Sequence, residues 1–336
     1  MPGELQADLY KGFWVYMEQE EGRLLPVGLE LLGKGRELAD EMGEVLTAVI
    51  LGQDIAALGE EALRYGADEV LLADHPLLTG FNTDAYTKVM ADIIEARKPN
   101  VLLMGATFNG RDLAGRLAVR LSTGLTAHVT RLEVDKESSL LLSAVPGFGG
   151  SILAVIKTEF GRPQMSTVSP GIFKPLEPDD VRRGKVERVD VRLRQSDIRC
   201  RVLEREVVPA EDIGSAERII VAGMGTGGDM KLVDDLAAAL HASTGVTRPL
   251  VDIGVAPREK QVGSTGVSLR SKLVVVLGAS GASHFVAGLR DADTVIALNK
   301  DEEAPIFDES DVCIVGDIFE IIPRLLEELE GKVMVV

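Results

Sequence analysis

The sequence predicts an α/β protein of two domains: a first, mostly parallel sheet over 1–205, and a second, doubly wound parallel sheet over 206–336. Three observations carry that expectation. A chain of 336 residues suits two domains. Up to residue 107, short apolar runs alternate with helical patterns across short connections, the rhythm of right-handed βαβ units. From residue 218 on, each apolar run is followed at once by a small, polar or Gly-rich loop. That is how the carboxyl ends of parallel strands read in an open sheet, where ligands bind in the crevice beyond the strand ends.

Taken in order, YKGFWVYM (10–17) reads as a first strand. A helical pattern of Leu29, Leu31, Leu32, Leu38 and Met42 follows, then a buried strand EVLTAVIL (44–51). Helix 55–66 ends at Gly66, strand DEVLLAD spans 68–74, a helix 84–99, and strand NVLLMGAT 100–107. Leu113, Leu117 and Leu121 then mark one face of a helix, with Arg111, Arg116 and Arg120 near another. These arginines are read either as a solvated basic face or as contacts for a partner or anion. Strands near 128–134, 139–146, 151–157 and 186–193 are expected to add an antiparallel extension. The Gly-rich turn in VPGFGGSILAVI (145–156) reads as a hairpin connection, because no helix follows it. Segment 177–193 is charged and Pro-flanked, as befits a surface stretch leading into an edge strand. Loop and linker composition in REVVPAEDIGSAE (205–217) sets the domain boundary near 200–212.

The second domain opens with strand RIIVAG (218–223), the loop GMGTGGD (223–229) and a helix from Asp229 to about His241. Gly223, Gly225 and Gly228 satisfy G-x-G-x-x-G, and Asp252 stands about 24 positions on, near the spacing of an NAD site. LVVVLG (273–278) is β-branched and apolar, as a strand buried on both faces should be. The loop GASGAS lets backbone N–H groups approach an anion, and HFVAGL after it is expected to open a helix whose N-terminus favours phosphate.

Bulk properties exclude several classes. A formal charge of −17 argues against non-specific nucleic-acid or anionic-membrane binding. No run of 18 apolar residues predicts a membrane span. The acidic N-terminal stretch lacks the regions of a signal peptide. Cys200 and Cys313 are the only cysteines, which predicts a reducing, cytoplasmic setting without a disulfide framework. Four scattered histidines give no metal-ligand spacing. Neither a nucleophile elbow nor a Walker A loop occurs.

Five blocks of the second domain stand in a fixed order: Thr247-Arg248, Gln261 to Gly266 (QVGSTG), Gly278 to Ala282 (GASGA), Asn299-Lys300-Asp301 with Ala304 to Phe307 (APIF), and Gly316-Asp317. Together they resemble the FAD-binding domain of the electron transfer flavoprotein α-subunit. The segments 105–129 and RPQMSTVSPGIF (162–173) resemble that family's N-terminal domain, which implies an adenine-nucleotide-hydrolase-like sheet for the first domain. The resemblance therefore spans most of the chain and implies an electron carrier subunit, with no catalytic residue of its own, rather than a stand-alone enzyme.

The resemblance implies an FAD site made of Thr247, Arg248, Val262, Gly263, Ser264, Thr265, Ser280, Gly281, Ala282, Ser283, His284, Phe285, Asn299, Asp317 and Ile318. Arg248 carries the most weight: a guanidinium beside the flavin offsets the negative charge gained on reduction and raises the potential. Its alternative is a structural pair with Asp252. The Thr265 hydroxyl would reach flavin N5, unless it belongs to an ordinary turn. Ser280 and Gly281, at an expected helix start, suit the pyrophosphate, and Ser280 also suits an N-cap. Asp317 is read as an FAD contact or as the cap of the last helix. The chain departs from the family pattern at several positions. Phe285 stands where the family has His, Ser264 where it has Gln, and Val267 where it has Lys. Either His284 takes over the missing contact or the flavin loses a hydrogen bond. The loop at Gly223 lacks the family's Arg.

The resemblance further implies a heterodimer with an electron transfer flavoprotein β-subunit, electrons from an acyl-CoA or other dehydrogenase, and a quinone-side or other acceptor. An electron-bifurcating complex stays open. Two other classes compete: an NAD-dependent dehydrogenase built on the GMGTGG loop, and a non-redox nucleotide-binding protein.

Overall fold

The computed structural model describes residues 9–147, 152–200, 202–204 and 213–333. The first eight residues of the acidic N-terminal stretch, the tip of the Gly-rich hairpin (148–151) and most of the linker (205–212) lie outside the described residues. The chain divides into two compact units, Met1–Arg205 and Glu206–Val336.

The first unit begins with β1 (Phe13–Met17), which is buried throughout. Phe13, Val15 and Met17 face one core layer, while Trp14 and Tyr16 face the other. This alternation is the period of two that a doubly covered strand imposes. A two-strand hairpin, β2 (Gln19–Glu20) and β3 (Arg23–Leu24), leads into α1 (Pro26–Met42). Pro26 at the first turn loses no helical hydrogen bond, and left-handed Gly43 closes the other end. Next come β4 (Leu46–Gly52), α2 (Ala56–Arg64), β5 (Glu69–Asp74), α3 (Thr83–Arg97), β6 (Val101–Gly105) and α4 (Phe108–Leu121). Asn82 caps α3 through Ala85 N, and Thr107 caps α4 through Gly110 N.

The remaining strands are β7 (Leu125–Val129), β8 (Arg131–Val134), β9 (Leu141–Gly147), β10 (Ile152–Lys157), β11 (Gln164–Val168) and β12 (Lys185–Arg188). Seven strands form one parallel sheet in the order β12-β5-β4-β1-β6-β11-β7. The antiparallel extension is real but smaller than expected: only β10-β9-β8 form it. The expected strand at 186–193 instead pairs parallel with β5, as the sheet's edge. The unforeseen β11 lies between β6 and β7. Its sequence, QMSTV, is too polar to read as a buried strand, yet every residue is buried. Partners explain this: Leu141 N donates to Gln164 Oε1 at 2.8 Å, and Ser166 shares a hydrogen bond with Ser143.

The second unit contains β13 (Arg218–Ala222), α5 (Met230–Ala239), β14 (Ser243–Val246), α6 (Arg248–Asp252), β15 (Leu273–Leu277), α7 (Ser283–Val286), β16 (Val295–Asn299), β17 (Val312–Val315) and α8 (Ile318–Val333). Its five strands are parallel in the order β14-β13-β15-β16-β17. The chain runs from β13 to one side and then returns to β15 on the other, which makes β13/β15 the topological switch point. One core layer holds Val233, Leu236, Ile318 and Ile322; the opposite layer holds Phe285, Val286, Leu289 and Ile306. Helical segments cover both faces, so the unit is doubly wound.

Candidate functional site

Each strand of the second unit ends in a residue that can turn sharply or stay small. Gly223 follows β13, Thr247 follows β14, Gly278 follows β15 and Asn299 closes β16. Between them lies a cleft of about 580 Å³ at the switch point. That size and position are those of a preformed ligand site.

The loops are locked together by backbone contacts that only glycine permits. A Cβ at Gly281 would stand 2.2 Å from Ile306 N, and its φ is +90°. One at Gly263 would stand 2.6 Å from His284 O. Ser264 N donates to that same carbonyl at 2.7 Å, and Ser264 Oγ meets His284 Nδ1 at 3.0 Å. The QVGSTG turn and the GASGASHF loop are thus tied into one wall. Asn299 Nδ2 donates to Ala279 O at 2.9 Å and links this wall to the next strand.

Of the residues expected in the site, Thr247, Arg248, Val262, Gly263, Thr265, Ser280, Gly281, Ala282, His284, Phe285 and Asn299 line the cleft. Ser264 stands behind it, bonded to His284. Ser283 begins α7 and accepts from Ala287 N. Asp317 Oδ1 accepts from Phe319 N at 2.8 Å, which is the capping reading. Ile318 is buried in a core layer. Phe285 is also largely packed into the core, so the imidazole in the cleft is that of His284. Arg248 Nε lies 3.4 Å from Asp252 Oδ2, and both side chains are about two-thirds exposed. The Thr265 hydroxyl accepts from Gln261 Nε2 at 2.9 Å.

Two expectations need correction. The helix after GASGAS is a single turn capped at Ala282 without a side-chain bond, so Ser280 is not its N-cap. Ser280 instead offers its carbonyl to Ile306 N. The GMGTGG loop does not present its glycines to a ligand. A Cβ at Gly223 would stand 2.4 Å from Ala279 Cα, and Gly225 N donates to Gly278 O at 2.8 Å. Close packing against the neighbouring loop accounts for both glycines, and Asp252 points to Arg248. The NAD fingerprint is therefore matched in letters only. Met224, Pro249, Gln261, Lys300, Asp301 and Pro305 also line the cleft and were not foreseen as contacts. Gln261, Lys300, Asp301 and Pro305 were in plain view within the quoted blocks, whereas Met224 and Pro249 become visible only through the fold.

The donor set fits a flavin dinucleotide. Arg248 and Lys300 supply positive charge, Thr265, Ser280 and Asn299 supply neutral polar groups, and Val262, Ala282 and Pro305 supply an apolar wall. No group of three or more His, Cys, Asp or Glu among the described residues could hold a metal. No helix among them is long and apolar enough to cross a membrane.

The first unit has a switch point of its own, between β1 and β6. There Glu18 is 6% exposed and accepts from Thr107 Oγ1 and Asn109 Nδ2. Burial pushes the carboxyl's pKa up, against the pull of those two hydrogen bonds. A protein carboxylate thus occupies the end of α4 that would otherwise attract an anion.

Comparison with known proteins bears on both units. Residues 13–193 match the family model "Electron transfer flavoprotein domain", and residues 212–290 match "Electron transfer flavoprotein FAD-binding domain". The electron transfer flavoprotein subunit alpha of Clostridium acetobutylicum is 43% identical over 96% of this chain and 98% of its own length. The acryloyl-CoA reductase electron transfer subunit beta of Anaerotignum propionicum is 38% identical, over 96% of this chain and 97% of its own. Subunit LctC of the lactate dehydrogenase (NAD(+),ferredoxin) of Acetobacterium woodii is 39% identical, over 97% of this chain and 79% of its own.

Proposed function

The chain belongs to the electron transfer flavoprotein family as an α-subunit, and we propose that residues 206–336 bind FAD in the switch-point cleft while residues 1–205 scaffold and dock a β-subunit. The observation that carries the FAD reading is convergence: residues from four sequence blocks, 247–248, 261–265, 278–285 and 299–305, line one cleft. When bound, the flavin supplies the electron chemistry, and the protein sets its position and potential. Arg248 and Lys300 offset negative charge. Thr265 and Asn299 orient polar edges, and the Ser264–His284 pair fixes the imidazole that replaces the family's usual His. Asp317 Oδ1 caps the start of α8 and Ile318 anchors it in the core.

Docking of a partner is supported by β10. Ile152, Leu153, Val155 and Ile156 are all exposed on an edge strand, which leaves both apolar side chains and backbone groups uncovered. Similarity to the acryloyl-CoA reductase electron transfer subunit favours an acyl-CoA-type oxidoreductase as redox partner. Similarity to LctC, from an enzyme named for both NAD(+) and ferredoxin, favours electron bifurcation as a second reading. A cytoplasmic setting fits two exposed free thiols, Cys200 and Cys313.

The test is the visible spectrum of the chain purified with its β-subunit and reduced in steps. One FAD per α-subunit is the expected result. A protein that stays colourless with added FAD would overturn the reading. A second flavin in the heterodimer, with both reducible by NADH, would select the bifurcating form.

A further inference from the structure

Arg162 opens the motif RPQMSTVSPGIF, and nothing in the flavin site uses it. Its residue is 8% exposed, yet among the described residues its only side-chain hydrogen bond runs from Nη1 to the carbonyl of the preceding Gly161, at 2.8 Å. Nε is buried without an acceptor. Among the described residues no carboxylate pairs with it, although the chain carries 53 Asp and Glu against 36 Lys and Arg. Burial alone pushes its pKa down. A guanidinium offers five donors in a rigid fork matched to a carboxylate, and an unpaired buried charge is among the least favourable arrangements a fold can hold.

The arginine is held in place by its surroundings. Thr123 Oγ1 donates to Pro163 O at 2.9 Å, and Gly161 turns at φ +113° against Thr123. On one side, two residues away, Phe160 is 88% exposed. Five residues before Arg162 ends β10, whose apolar side chains are uncovered. A preformed cation without its anion thus lies next to a knob and an edge strand that also lack cover.

We infer that Arg162 is a docking socket that receives a carboxylate of the β-subunit, with Phe160 and β10 as the apolar flank of the same interface. This rests on the reading that the chain pairs with a β-subunit. The occupant is an Asp or Glu side chain or a chain terminus, because only an anion with two parallel acceptors satisfies the fork.

The test uses the full chain, alone and with the β-subunit. Arg162→Met should weaken the complex by roughly 30-fold or more, as loss of one member of a desolvated charge pair does. The free chain's melting temperature should hold or rise, because an uncompensated charge has gone. Arg162→Lys keeps the charge, loses the fork and should fall between. A Met variant that binds the β-subunit as tightly as wild type overturns the socket while leaving the partner reading intact. If Met both lowers the free chain's melting temperature and weakens the complex, Lys decides: recovered binding supports the socket, and no recovery assigns Arg162 to internal structure. A wild-type chain that does not bind the β-subunit removes the partner reading and the socket together.

Discussion

Both units set a crevice at the carboxyl ends of a parallel sheet, at the point where strand order reverses, yet only one crevice is open. In the second unit the strands end in Gly223, Thr247, Gly278 and Asn299, and the loops spend their hydrogen bonds on one another's backbones. The cleft's polar side chains are oriented by bonds to their neighbours, Thr265 by Gln261 and His284 by Ser264, with no carboxylate among the described residues filling the space between them. In the first unit β1 runs into Glu18, and its carboxylate takes the Thr107 and Asn109 donors at the start of α4. Topology decides where a crevice forms; the first two or three side chains past each strand decide whether it binds anything.

The strongest way to break this contrast is to close the open crevice. Gly281→Val would drive a side chain into Ile306 N from a backbone at φ +90°. The strain and displacement should destabilise the second unit by about 3 kcal/mol and lower flavin affinity about 100-fold. Flavin absorbance per protein and the thermal midpoint measure both. Full flavin content in this variant would mean the loop does not shape the site.

The converse change opens the closed crevice. Glu18→Ala leaves two donors without their acceptor and should cost about 2 kcal/mol with flavin content unchanged. Glu18 also gives a pH signature. Its folded pKa lies above the unfolded one because burial disfavours the charge. The folded state then binds more protons at this group between the two values, so Glu18's contribution to stability is fully present below the unfolded pKa, about 4.3, and is lost as pH rises through the window. Glu18→Gln should remove that fall; melting temperature against pH for both proteins tests it. An unchanged slope would show that Glu18 does not titrate within the fold.

How much of this was legible in the sequence follows the same divide. The loops of the second unit could be read because their glycines and small polar residues sit directly after β-branched runs such as Leu273–Leu277. β11 could not, because Gln164, Ser166 and Thr167 look solvent-facing until Leu141, Ser143 and His128 bring them partners from 23 and 39 residues away. β12 was visible as an edge strand, but its direction depends on β5, which local sequence does not encode. Asp317 was readable as either ligand contact or cap, and only the bond from Phe319 N favours the cap. Pro249 and Met224 carried no signal, since an apolar residue in a cleft wall reads like one in a core.

A smaller effect sharpens the chemistry inside the open crevice. Arg248→Ala should lower the bound flavin's midpoint potential by about 60 mV, the one-electron equivalent of a tenfold change, and weaken binding about tenfold. Spectroelectrochemical titration reads the first and dialysis the second. An unchanged potential would return Arg248 to a structural role.

The smallest predicted effect separates those two roles of Arg248 most cleanly. Its only carboxylate partner among the described ion pairs, Asp252, lies four residues along α6 at 3.4 Å, and both groups are largely in solvent. Screening makes such a pair worth little, so Asp252→Asn should change the unfolding free energy by no more than about 0.5 kcal/mol. If Arg248 serves the flavin, removing the neighbouring negative charge strengthens its field at the cleft. The midpoint potential should then rise, by about 10–20 mV at low salt and less as salt increases. Asp252→Asn and Arg248→Ala would therefore move the potential in opposite directions. If the pair instead exists to hold α6, both variants break the same contact, and they should lower stability alike and leave the potential where it was. Opposite signs in one titration thus establish the electrostatic role, and matching stability losses exclude it.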